Sequence, residues 1–153
     1  MTGTSARVPD IEVEVPPRPE YVGVVRHLMG AVARLGQHSP EFVENAKLAG
    51  SEACTNAVML NGRSGATERI SVRALLDEDR LQIEVADRGQ PAGGGGPLVT
   101  DPTPTPTSGF EGGLSLPLLE GLVDELTIDP REGGGNFVRM TLIRDVEVEP
   151  GSD

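Results

Sequence analysis

Asp87 closes an apolar alternating run, LQIEVAD, and is followed by Arg88-Gly89-Gln90-Pro91. A carboxylate at the end of a strand can accept from an exocyclic amine, and a glycine two residues on lets a flat ring approach the backbone; the same residues would also serve a plain strand-ending turn. Gly112-Gly113-Leu114 opens a second candidate. Free backbone N–H groups and the dipole at a glycine-rich helix entry favour an anion such as phosphate, although glycines also simply turn a chain. The third candidate is Glu52 with Asn56, inside SEACTNAVML. Four residues apart on a helix they share one face, and an asparagine buried there needs partners for an acceptor oxygen and two donors. That pair is either a surface feature or the wall of a site.

Other chemistries lack their residues. No GxxxxGK[ST] phosphate loop occurs, and the single lysine, Lys47, sits in mid-helix, so neither that nucleotide fold nor the lysine-bearing strand of a protein kinase is present. His27 and His38 have no serine or cysteine partner in any motif and read as structural or surface histidines. Cys54 stands alone, without a CxxC or Cys/His cluster, which argues against a disulfide or a structural zinc and for a reducing compartment; it reads as a small buried hydrophobe. A formal net charge of −11 argues against a nucleic-acid surface and suits a basic protein partner. Without an apolar stretch approaching about 18 residues or a leader-like N-terminus, no membrane association is expected and a cytoplasmic location is.

The elements that must position these residues follow from periodicity. At 153 residues the chain suits one domain. IEVEV at 11–15 alternates as an edge strand. Tyr21, Val24, Val25, Leu28, Val32 and Leu35 recur at helical spacing, with Gly36 at the stop. Ser39 and Pro40 then supply an N-cap and a first-turn proline for a second helix over roughly 40–60. RISVRALL and LQIEVAD form a hairpin about DEDR, and GGLSLPLLEGLVDEL at 112–126 reads as a glycine-rich entry to a short helix. LTID, a GGG turn and NFVRMTLI close the fold as two strands. Between them, Arg88 to Gly109 has almost nothing to bury, so a functional lid or disorder is expected there. With strands and helices gathered in runs, the fold class is α+β, a two-layer sandwich.

In order, the chain shows ExxxN on a helix, DxG after a strand, a long loop ending in glycine at a helix start, and a glycine turn into the last strand. This set resembles the GHKL (Bergerat-fold) ATP-binding superfamily, and within it the stand-alone anti-sigma-factor serine kinases of bacterial partner-switching systems. The resemblance covers about residues 9–144, leaving a flexible 1–8 and a frayed acidic 145–153. It implies a mixed, mostly antiparallel sheet with about three helices on one face, and ATP and Mg2+ as cofactors. Asn56 would coordinate the metal, Glu52 would be the general base for an acceptor serine, and Asp87 would bind the adenine amine with Gly89 against the base. Gly112, Gly113, Leu114 and Ser115 would close on the phosphates, residues of about 88–112 would form the ATP lid, and Gly135 and Asn136 would lie near the adenine. Implied partners are a sigma factor, an antagonist with a STAS domain and a second copy of the chain, in stress or sporulation control.

Three positions depart from the family pattern: Leu60 where many relatives carry histidine, Ser115 in place of a usual glycine, and Asn136 in place of a usual threonine. They motivate a second reading, a weakened or inactive module of the same fold acting through protein recognition alone.

Overall fold

A computed structural model describes residues 7–89 and 116–144. The lid, the glycines at 112 and 113, Leu114, Ser115 and both termini lie outside the described residues.

Strand β1 (Ile11–Val15) leads through a single 3-10 turn into helix α1 (Val22–Leu35) and helix α2 (Pro40–Ser64). A hairpin of β2 (Ile70–Leu76) and β3 (Arg80–Ala86) follows, then helix α3 (Leu116–Leu122) and a second hairpin of β4 (Glu125–Pro130) and β5 (Asn136–Ile143). The five strands form one sheet in the order β1-β2-β3-β5-β4. Every pairing among these strands is antiparallel, in keeping with the mostly antiparallel sheet that the resemblance implied and without a parallel pair among the described strands. The reason is local: both hairpins return directly, and β1 and β5 each come back across the layer to lie against a strand running the other way.

One face of the sheet carries the core. Val13, Val72, Val85 and Val138 lie in one register row, and Ala74, Ile83 and Met140 in the next. They meet Val25, Met29 and Val32 of α1 and Ala46, Ala49, Ala53 and Ala57 of α2. The alanine stripe lets the long helix sit close to the sheet, because each side chain projects only a methyl group. On the opposite face Glu12, Arg73, Glu84 and Arg139 form a row across four strands. Glu84 is 1% exposed and lies 3.7 Å from Arg73 and 3.4 Å from Arg139. A buried carboxylate is tolerable there because two cations flank it.

The helix signals act as the sequence indicates, with two differences. Ser39 caps α2 by accepting from the Phe42 N–H at 3.1 Å. The helix continues past Leu60 to Ser64 and ends on Gly65 at φ 78°; polar Asn61 is carried along because its Nδ2 donates to the Glu68 carbonyl. At the end of α1, Gly36 has φ −83° and the left-handed residue is Gln37 at φ 60°. Gly36 is needed there for space, since a Cβ would stand 2.8 Å from the His38 ring.

Candidate functional site: a carboxylate at the foot of an apolar cavity

Asp87 follows β3 directly and is 2% exposed. Three donors converge on its Oδ1: the Gly89 N–H at 2.8 Å, the Asn136 N–H at 3.3 Å and the Asn136 Nδ2 at 3.4 Å. Among the described residues no donor reaches Oδ2. Burial pushes this carboxyl up to about 6, although the Gly89 and Asn136 donors and the Arg131 charge pull the other way; desolvation of the anion outweighs them.

Two glycines make this corner possible. A Cβ on Gly135 would overlap the Asp87 carbonyl oxygen, and its φ of 104° is one that side chains rarely adopt. A Cβ on Gly89 would run into the α2 backbone at Leu60 and Asn61, so here the missing side chain lets the DxG loop seat on the helix. Asn136 does what a threonine hydroxyl cannot do with one proton: its NH2 group reaches both Asp87 Oδ1 and the Gly89 carbonyl, each at 3.4 Å.

Asp87 and Asn56 line the same narrow cleft, walled by Ala53, Ala57, Leu60, Leu119, Ile128 and Val138. Asn56 is half-buried, and Glu52 is half-buried one turn earlier on α2. Thus α2 supplies the amide and one apolar wall, β3 the carboxylate, β4 and β5 the opposite wall, and α3 a leucine. Leu60, in place of histidine, is part of the apolar lining. Gly135 and Asn136 stand behind Asp87 rather than on the cavity wall. Gly112, Gly113, Leu114 and Ser115 fall outside the described residues.

The sequence gives no local signal for several other contributors. Leu119, Ile128 and Val138 read simply as core positions; only the fold turns them toward the cavity. Arg131 donates to the Asp87 carbonyl at 2.8 Å from 44 residues away, a tie with no motif. Cys54 is buried among apolar neighbours with its thiol raised to about 11 by desolvation, which makes it inert. His27 is exposed with Nδ1 2.9 Å from the Gly23 carbonyl. His38 is buried and stacked on Phe42. Neither histidine joins the cavity. Among the described residues no three His, Cys, Asp or Glu side chains could hold a metal together, and no helix is long and apolar enough to cross a membrane.

An apolar slot ending in a hydrogen-bond acceptor suits a flat heterocycle bearing an amino group, such as adenine. The amide oxygen of Asn56 is a hard donor of the kind magnesium accepts, the remaining ligands then coming from phosphate and water.

Comparison with known proteins gives the family of the fold. A family model described as the histidine kinase-like ATPase domain matches residues 15–142. A serine-protein kinase RsbW of Bacillus pumilus is 40% identical over 131 residues, 80% of each chain. The RsbW of Bacillus subtilis is 38% identical over 129 residues, 80% of this chain and 79% of its own. That of Oceanobacillus iheyensis is 36% identical over 149 residues, 94% of this chain and 92% of its own. A crystal structure of the RsbU and RsbW domains of a Mycobacterium tuberculosis protein superposes with a TM-score of 0.63 at 20% identity. It covers 92% of this chain, which spans 34% of that longer one, and it speaks to fold alone. The chain belongs to the histidine kinase-like ATPase domain family, among the relatives of the RsbW serine-protein kinases.

Proposed function

We propose that this chain is an ATP-dependent serine-protein kinase that acts as an anti-sigma factor, phosphorylating a STAS-domain antagonist and sequestering a sigma factor. The observation that carries this reading is the single cavity lined by both Asp87 and Asn56. Its lining is apolar, with a carboxylate acceptor on one side and, on the helix beside it, an amide of the kind a cation accepts.

In this reading Asp87 Oδ2 accepts from the adenine amine while Ala53, Ala57, Leu119, Ile128 and Val138 exclude water from the ring. Asn56 would hold magnesium, which when bound screens the phosphate charge and keeps the chain of phosphates in register. Glu52 takes the proton from the acceptor serine. The serine Oγ forms its bond to the γ-phosphorus as the bond from that phosphorus to the ADP oxygen breaks, and the electron pair leaves on ADP. Little covalent chemistry is asked of the protein, so positioning and charge stabilisation account for most of the rate. Gly112, Gly113, Leu114 and Ser115 are assigned to the phosphates in the same proposal, residues of about 88–112 to the lid, and the active form is taken as a homodimer in the cytoplasm.

The test is Glu52→Ala. It should leave the ATP-induced rise in melting temperature intact and lower phosphate transfer to the antagonist by at least ~100-fold, the usual range for a general base. Transfer at the wild-type rate would remove Glu52 from that role. Loss of both binding and transfer in wild type would favour the protein-recognition module.

A further inference from the structure

Two arginines cross between the end of β3 and the turn that joins β4 to β5. Arg131, at the start of that turn, donates through Nη1 to the Asp87 carbonyl at 2.8 Å. Arg88, just past Asp87, reaches back through Nη1 to the carbonyls of Gly134 at 2.8 Å and Glu132 at 3.1 Å. The turn is closed by its own bonds, Arg131 N–H to Gly135 O at 2.9 Å and Gly134 N–H to Arg131 O at 3.0 Å. The Arg131 side chain takes no part in these closing bonds. Placing the two guanidinium groups so close has a cost, since partial burial and the Arg88 charge both lower the proton affinity of Arg131. A side chain placed at a local cost and outside the turn's own closing bonds calls for a role elsewhere.

The geometry supplies one. Asp87 is gripped at its N–H by the Asn136 carbonyl at 3.0 Å, at Oδ1 by three donors, and at its own carbonyl by Arg131. The first two grips come from β5 and from the DxG loop itself; the third alone comes from a side chain that carries charge. We propose that Arg131 is a positioning residue for base recognition: its bond to the Asp87 carbonyl fixes the carboxylate edge presented to the ligand, and its charge favours the ionised, acceptor form of that carboxylate. This rests on reading the cavity as the ATP site. Arg131 touches no reacting atom, so its effect belongs to nucleotide affinity and not to the transfer step.

The experiment measures ATP binding by calorimetry for the full chain at pH 8 and pH 6, alongside kcat and KM for phosphate transfer. Arg131→Met removes both the bond and the charge. It should weaken ATP binding on the order of tenfold at pH 8 and further at pH 6, raising KM and leaving kcat at saturating ATP unchanged. Arg131→Gln keeps a donor for the carbonyl and removes only the charge; it should bind as wild type at pH 8 and fall behind at pH 6. This second variant also stands in if the methionine variant does not fold. A purely structural staple would lower the melting temperature of both variants while their ATP affinities matched wild type at both pH values, and that result overturns the proposal. Wild type failing to bind ATP would overturn the nucleotide reading itself, a separate outcome.

Discussion

Burial favours the protonated form of Asp87, yet at neutral pH the carboxyl is largely ionised. The folded chain holds this proton up to about pH 6, whereas an ordinary aspartate releases it near 3.8. Between those values the native state binds more protons than the unfolded chain, so stability falls as pH rises through the window and the deficit persists at pH 7. The gap corresponds to about 3 kcal/mol at most. Asp87→Asn should therefore raise stability at pH 7 by about 1–3 kcal/mol and flatten the melting temperature between pH 4 and 6. The same variant should lose the ATP-induced stabilisation, because an amide NH2 turned toward the adenine amine sets donor against donor. In wild type, ATP affinity should decline as pH drops below about 6, as the acceptor becomes protonated. Melting curves with and without Mg-ATP across pH 4–8 check all three. A variant that is both less stable and fully competent to bind would contradict the assignment of Asp87.

At the scale of elements, two glycines separate conformational need from mere presence. Gly135→Ala forces a side chain into φ 104° and onto the Asp87 carbonyl, and should cost about 3 kcal/mol or more together with ATP binding. Gly62→Ala, at an exposed site on α2 with no atom within 4 Å of the new methyl, should stabilise by up to ~1 kcal/mol and leave binding alone. Denaturant titration of the pair reads both signs. These elements were largely legible in the sequence. NFVRMTLI is β5 from Asn136 to Ile143, and β2 and β3 fall within a residue of the alternating runs, because period-2 patterning is decisive where one face is buried. The end of α2 was not legible: Asn61-Gly62-Arg63-Ser64 has weak helix propensity, and its extension depends on a tertiary bond from Asn61 to Glu68. Among the candidate residues, Asp87, Gly89 and Asn56 could be singled out because chemistry and local spacing coincide, and Asn136 only through the family resemblance. Arg131 could not, since what matters about it is a contact made only after β4 and β5 fold back.

The whole molecule is defined electrically by its net charge of −11 and its one lysine. An acidic body steers a basic partner by long-range attraction, which salt screens over about 10 Å at 0.1 M. Association with the proposed sigma-factor partner, followed by stopped-flow fluorescence, should slow on the order of tenfold between about 50 and about 500 mM salt, with a smaller change in the dissociation rate. A salt-independent association rate would place recognition in apolar contacts instead.

The seat of Gly89 on the backbone of Leu60 and Asn61 bears on how such a domain can be altered by descent or by hand. The DxG segment and the helix that carries Asn56 share a surface where Gly89 places no side chain between them. A graft of one from a relative would bring a helix of slightly different pitch or tilt against a loop shaped for another. Residues 60–61 and 87–89 therefore have to be exchanged together, and a chimera that divides them should lose its fit even where every side chain of the cleft is kept.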